Sequence, residues 1–280
     1  PIVLSSRVTY TNFMRIMSLN GWGGTLADQL LPYLAATDPD VLCLQEVVHS
    51  PDTSLAELEY RDGTHILPQR ANFFADVCAA LPHHTATFCP AARGVLWDGD
   101  AAVPSYWGLA TFVRSTIPVI AQNQGFVHKG YGADGYGDHP RSRSAHGLRL
   151  WDHTARHAVS VTHMHGLRDL RGKMDTPERA RQAERLLALS ASVTEAGDIA
   201  VICGDFNVTP ESETLKLLTQ AGFTELVTHF GHPTTRTSHY RKPARFADYL
   251  AVNDISAVKQ FDVVTAPEVS DHCPLVVTLT

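Results

Sequence analysis

Several side chains in this 280-residue sequence stand where apolar runs end and are of types that hold hard cations or move protons. Asn20 lies in LNGW, Glu46 closes LQE, Asp205 and Asn207 belong to GDFN, and Asp271 and His272 belong to SDH. A turn or a cap accounts for any one of these clusters, but four together at strand ends form a set. Glu46, Asp205 and Asp271 offer hard carboxylate oxygens and Asn20 and Asn207 offer amides. That is a donor set for Mg²⁺, which keeps several waters and takes one or two carboxylates, whereas zinc calls for more nitrogen or sulfur. Asp271 and His272 are consecutive, so an extended backbone would turn them to opposite sides and a loop must bring both to one place. A neutral imidazole there serves in proton transfer, with a further carboxylate to hold its tautomer.

The elements that position these residues read mainly as strands. Met14–Asn20 alternates and is broken by GWGG, residues 25–36 place Leu26, Leu30, Leu31 and Leu34 at helical spacing around Pro32, and VLCLQ is a short buried strand. Residues 47–69 show no period, residues 71–81 put Phe73, Phe74, Val77 and Leu81 on one helical face, and residues 90–105 are expected to be a loop rich in Pro, Gly and Asp. Strands follow at 107–113, 119–127, 146–152 and 157–163, a pattern of hairpins more than of repeated βαβ units. A long helix is expected over 176–195, with Asp175 or Thr176 as N-cap and Pro177 in its first turn. The strand IAVIC, a helix near 211–221 and strands near 245–252, 258–265 and 274–279 complete the chain.

With 44% hydrophobic residues and 19% charged, the chain can bury a large core, and no linker or repeat divides it. We read one domain over residues 14–280, with residues 1–13 an extension or a vector-derived remnant. The formal charge of −6 argues against broad coating of nucleic acid. It leaves room for a local basic cleft, since 11 of the 23 Lys and Arg residues fall between Lys129 and Arg185. Five widely spaced cysteines without a CxxC pair fit buried thiols. Neither a secretory signal nor a membrane-length apolar run is visible, so a cytoplasmic location without stable membrane association is expected.

In order along the chain, SLNGW at Ser18, LQE at Leu44, THMHGL at Thr162, GDFN at Gly204, DYL at Asp248 and SDH at Ser270 resemble the endonuclease/exonuclease/phosphatase superfamily of Mg²⁺-dependent phosphoesterases. The matches span nearly the whole chain. The resemblance implies an α+β, DNase I-like fold: a four-layer α/β/β/α sandwich of two mostly antiparallel sheets with helices on both outer faces. It implies Glu46 as principal metal ligand with Asn20 and Asp271 beside it, Mg²⁺ as cofactor and Mn²⁺ as a possible substitute. Asp205 and Asn207 would meet the attacking water and the phosphoryl oxygens, His163 would donate to a phosphoryl oxygen, and His272 oriented by Asp248 would complete the proton-transfer apparatus. Either Asp205 or His272 activates the water in this reading, and one or two metals fit it equally. Such groups suit phosphoester hydrolysis because charge gathers on the non-bridging and leaving oxygens as water attacks in line.

Further residues join the site by position. Where some nucleases of the superfamily carry an acidic residue two places after the first-strand asparagine, this chain has Trp22. Tyr106 loosely matches a phosphate-contacting tyrosine, with core packing the alternative. His165 lies two residues past His163 and shares its strand face. Arg141 and Arg143, near His146 and Arg149, follow the Gly-rich connection at residues 130–137, where loops often carry specificity and Arg forks suit phosphate. Arg179 and Gln182 are expected to support the loop after His163. The expected activity is phosphodiester hydrolysis, on nucleic acid ends or a small diester. The alternatives are a lipid or inositol phosphate hydrolase of sphingomyelinase or phosphatase type, and a catalytically silent binding module. Oligomeric state is not readable from the sequence.

Overall fold

Strand β1 (Met14–Asn20) buries both of its faces, Met14 and Ile16 against one hydrophobic cluster and Met17 and Leu19 against another. A strand apolar on both sides must run through the interior. The computed structural model describes residues 13–280, so the expected N-terminal segment lies outside the described residues apart from Phe13. Helix α1 (Ala27–Thr37) carries the chain from β1 to the parallel strand β2 (Val41–His49). Pro32 lies on the exposed side of α1, where the helix tolerates one missing backbone donor.

The next segment departs from the expectation. Residues 47–69 hold a hairpin of β3 (Glu57–Asp62) and β4 (His65–Arg70), followed by helix α2 (Phe73–Ala80). Residues 90–105 are no loop: β5 (His84–Asp98) and β6 (Ala101–Arg114) form one long hairpin around a tight turn at Gly99, whose φ of 54° suits glycine. The turn formers that read as a loop are tolerated because pairing with β6 supplies the order that local propensity lacks. Then come β7 (Val119–His128), β8 (Arg143–Asp152), β9 (His157–His165), α3 (Pro177–Val193) and β10 (Ile199–Asp205). The rest is α4 (Glu213–Gln220), β11 (Thr224–Glu225), α5 (Leu226–His229), β12 (Asp248–Val252), β13 (Val258–Val263) and β14 (Leu275–Leu279). Thr176 caps α3 by accepting from the Arg179 backbone N–H.

These strands form two sheets, one of eight in the order β13-β14-β1-β2-β6-β5-β3-β4 and one of six in the order β11-β12-β10-β9-β8-β7. Each is antiparallel except for one central pair, β1 with β2 and β9 with β10. The eight-stranded sheet packs α1 and α2 outside, the six-stranded sheet packs α3 and α4 outside, and inward residues of both sheets meet in one core, giving the α/β/β/α sandwich. Each parallel pair is a βαβ unit, and the carboxyl ends of such strands are where open sheets leave a crevice. Asn20 and the residues of LQE end one pair, and His165 and Asp205 end the other.

All five cysteines are free, four buried and Cys78 partly exposed. Among the described residues, no helix is long and apolar enough to cross a membrane.

Candidate active site at the strand ends

The register of β2 explains how Glu46 reaches the crevice. Leu42 and Leu44 face the helix side, so simple alternation would send Glu46 there as well. Between Leu44 and Val47 one extra residue faces β6, and Glu46 takes a left-handed φ of 55°. This bulge turns the carboxylate into the cleft. Gly204 is equally constrained on the other side: its φ is 132° and a Cβ there would stand 2.1 Å from the Met164 carbonyl oxygen, so β9 and β10 approach closely just before Asp205.

Asp205 is held from two directions. One oxygen accepts from the Asn207 backbone N–H at 2.9 Å and the other from Asn20 Nδ2 at 3.1 Å, while Asn20 Oδ1 accepts from the Trp22 N–H at 3.0 Å. Asn207 has a φ of 55°, and its Nδ2 donates to the Gly166 carbonyl at 3.4 Å. Opposite Asp205 in the β10–β12 register stands Asp248, both of whose oxygens lie 2.8 Å from His272 Nδ1. Ser270 Oγ donates to the Asn20 carbonyl at 2.7 Å, which ties the loop carrying Asp271 and His272 to the end of β1. The loop brings both residues into the cleft, with His272 Nε2 3.6 Å from Asp271 and 3.8 Å from Asp205.

Burial sets the protonation pattern. It raises Glu46 to about 7, helped by the neighbouring Asp271 charge and opposed by Asn20. It raises Asp248 to about 7 and, with Arg236 beside the ring, lowers His272 to about 4, so the imidazole is neutral near pH 7.

His163 is not at the cleft. Gln45 Nε2 donates to the Cys43 carbonyl at 3.0 Å and contacts His163 Nδ1 at 3.3 Å, which leaves the His163 proton on Nε2, facing Thr111 Oγ1 at 2.8 Å. The Thr111 hydroxyl then donates to His146 Nδ1 at 2.8 Å. Both imidazoles are held below their ordinary value by burial, and the chain of bonds fastens the two sheets together inside the core. The histidine that lines the cleft is His165, one strand repeat farther on, whose Nε2 lies 3.7 Å from Asp205 and 3.8 Å from Glu46. Tyr106 likewise does not line the cleft. It pairs with His49 across β2 and β6, and its neighbour Trp107 faces the cleft, 5.2 Å from the His165 ring.

Arg141 and Arg143 both line the cleft. Arg143 is buried, donates to the Gly166 carbonyl at 2.8 Å and lies 4.9 Å over Trp107, and burial lowers it to about 10. Arg141 donates to Tyr60 and pairs with Asp62 at 3.2 Å. His146 is in the interior chain, and Arg149 pairs with Asp198 at 2.8 Å away from the cleft. Arg179 donates to the Gly172 carbonyl at 2.9 Å and Gln182 accepts from the Leu167 N–H at 2.8 Å, so both hold the loop after β9.

The cleft has a volume of about 300 Å³. Its walls are aromatic and cationic, with Trp22, Tyr60, Tyr136 and Tyr240 alongside Arg168, Arg241 and Lys242. Sequence reasoning missed Trp107 and Arg236. Alternation from Tyr106 would have reached Trp107, whereas Arg236 lies in an irregular segment with no pattern to mark it.

The donor chemistry fits a divalent cation. Glu46, Asp205 and Asp271 crowd one space, Glu46 is raised by that crowding and by burial, and Asp271 Oδ1 is buried without a hydrogen-bond partner. A geometric trio of Asp205, Asp248 and His272 has ligand atoms within 4.8 Å of one another. There the Asp248 oxygens and His272 Nδ1 already satisfy each other, so the Glu46–Asp271 side is the better cradle.

The sequence model of the endonuclease/exonuclease/phosphatase family matches residues 17–272. The chain belongs to that family. It is thereby a hydrolase of phosphoesters, in a family that generally uses divalent metals. No curated protein sequence matches it. The fold is similar to an endonuclease/exonuclease/phosphatase from Bacteroides vulgatus, with 18% identity, a TM-score of 0.64 and coverage of 96% of this chain and 98% of that one. It is similar to the human Nocturnin catalytic domain with bound sulfate, at 18% identity, TM-score 0.63 and coverage of 96% and 93%. A mannosyl-6-phosphatase from Bacteroides thetaiotaomicron is similar at 15% identity, TM-score 0.63 and coverage of 95% and 99%. At these identities the likeness establishes the fold, and the substrate must be argued from the site.

Proposed function

We propose that this member of the family is a Mg²⁺-dependent phosphodiesterase acting on nucleic acid ends or a small nucleotide-like diester. The observation that carries the reading is one cleft in which a carboxylate cluster and His272, backed by Asp248, lie between aromatic and cationic walls. Around the reacting centre, the carboxylates of Glu46, Asp205, Asp248 and Asp271 face the guanidinium groups of Arg143 and Arg236 and the nearby Lys173 ammonium. Stacking surfaces such as Trp22 and Tyr240 suit the planar groups that flank a nucleotide phosphate.

Glu46 and Asp271 would hold the cation, with Asn20 beside them, and Mn²⁺ would substitute. When bound, it would neutralise charge on the phosphoryl group and the leaving oxygen. With its Nδ1 proton fixed on Asp248, His272 has only Nε2 with which to accept a proton from water, and Asp248 then stabilises the imidazolium. Asp205 and Asn207 orient the water and a phosphoryl oxygen. Two carboxylates facing His165 Nε2 favour a proton on that atom, so His165 takes the role of donor to phosphoryl oxygen.

The test compares bis-p-nitrophenyl phosphate with p-nitrophenyl phosphate in Mg²⁺, in Mn²⁺ and in EDTA, with Asp205→Ala as the blank. Diester turnover that needs metal and is lost in the blank supports the reading. Turnover of the monoester alone would replace it with a phosphatase.

A further inference from the structure

Arg236 is an unexpected cation at the reacting centre. Its residue is 7% exposed, yet it lines the cleft, and its Nη1 contacts both His272 Nε2 and Asp271 Oδ2, the latter at 3.1 Å. The guanidinium lies 4.0 Å over the Tyr240 ring. Burying a cation is costly unless it is paired and its donors are satisfied; here the Asp248, Asp205 and Asp271 charges favour the cation, but its donors are only partly used. Nε is buried without a partner, and Nη2 makes no hydrogen bond among the described residues.

The fold does not need this side chain in the way it needs the backbone around it. Strand-like pairing of Arg236 with His272, and the bond from the Arg236 N–H to Thr234 Oγ1 at 2.9 Å, are made by main-chain atoms that any residue supplies. The side chain instead covers a reactive atom. Because Nδ1 of His272 donates to Asp248, Nε2 is an acceptor, and the Arg236 N–H fills it. In this arrangement His272 has no lone pair free for water.

We propose that Arg236 is a catalytic residue that donates its guanidinium fork to a non-bridging phosphoryl oxygen of the substrate, and that this contact draws Nη1 off His272 and frees Nε2 for the attacking water. The inference rests on the phosphoesterase reading above. Beyond the single Asp271 contact, an anion offers the guanidinium a charge-assisted, two-pronged partner that engages its idle Nε and Nη2 and replaces one neutral nitrogen. The same substrate that needs a base would thus uncover it, and an empty site would keep it capped. Fixed donors aimed at developing charge act mainly on the transition state, so the loss belongs in kcat more than in KM.

The experiment uses the metal-loaded full chain and the variants Arg236→Ala, Arg236→Gln and Arg236→Lys. It measures inorganic phosphate binding by calorimetry and turnover of bis-p-nitrophenyl phosphate. Arg236→Ala should lower kcat on the order of 100-fold with a smaller change in KM. It should weaken phosphate binding on the order of tenfold, and added guanidinium should restore turnover to it and not to the unaltered protein. Arg236→Lys keeps the charge without the fork and should recover only part of the loss. Should Arg236→Ala fold poorly, Arg236→Gln, which retains bulk over Tyr240, carries the same expectations. Unchanged phosphate affinity together with unchanged kcat overturns the proposal. So does a loss that follows the melting temperature and is not rescued by guanidinium. If the unaltered protein hydrolyses no ester, the phosphodiesterase reading fails by itself and phosphate binding decides for Arg236: tenfold weakening in the variants supports the contact, and equal binding removes it.

Discussion

Asp205 and Asp248 are register partners on adjacent antiparallel strands, and the imidazole of His272 joins them, 2.8 Å from Asp248 through Nδ1 and 3.8 Å from Asp205 through Nε2. Two carboxylates side by side at the ends of neighbouring strands would repel if both faced the same space uncompensated. Here one is the partner of a histidine and the other is held by Asn20 and the Asn207 backbone. In the proposed mechanism this geometry divides their work, one holding a base and the other placing a reactant.

That division predicts strong coupling between His272 and Asp248. His272→Ala should reduce turnover by about 10²- to 10⁴-fold with the fold intact, and Asp248→Asn should reduce it less. The double variant should be little worse than His272→Ala, because removing the base makes its orienting partner irrelevant. Near-normal turnover by His272→Ala would remove the proton-transfer role.

Glu46 should govern metal dependence. Its carboxylate shares the cradle with Asp271, whose Oδ1 is buried without a hydrogen-bond partner. Glu46→Gln should raise the Mg²⁺ concentration needed for half-maximal turnover on the order of 100-fold, and Mg²⁺ should no longer raise its melting temperature. An unchanged Mg²⁺ titration by calorimetry would move the metal elsewhere.

His163 and His165 lie two residues apart and should fail in opposite ways. His165→Ala should lower kcat while its melting temperature stays close to that of the unaltered protein. His163→Ala should lose about 1–3 kcal/mol of stability, since it removes the donor to Thr111 Oγ1 and leaves one buried Gln45 Nε2 proton unpaired. Thermal melts beside turnover would show whether the two effects separate.

The interior chain also makes stability depend on pH. Burial holds His146 down at about 4. An unfolded histidine titrates near 6.5, so between about 6.5 and 4 the unfolded chain binds a proton that the folded one refuses. His146 therefore stabilises the fold fully above its unfolded value and progressively less as the pH falls toward 4, by up to about 3 kcal/mol. His146→Asn should show a shallower fall in melting temperature from about pH 7 to about pH 5 than the unaltered protein. Parallel curves would contradict the assignment.

Residue type and order carried the family resemblance, and through it the sandwich and the expected donor set of the centre. LQE, GDFN and SDH announce themselves because hard donors at the ends of apolar runs are costly to keep unless a site uses them, and those local strings survive without knowledge of their partners. Tertiary structure decided which of two same-face histidines meets the cleft, since His163 and His165 share a strand face and differ only in how far each lies along the sandwich. It decided that Glu46 points inward, because a bulge shifts alternation and leaves no mark in residue pattern. It also set Arg236 against His272, through a bridge between segments 36 residues apart. Local sequence records what a residue can do, while long-range pairing fixes which of those abilities converge, and it is that convergence which makes a site.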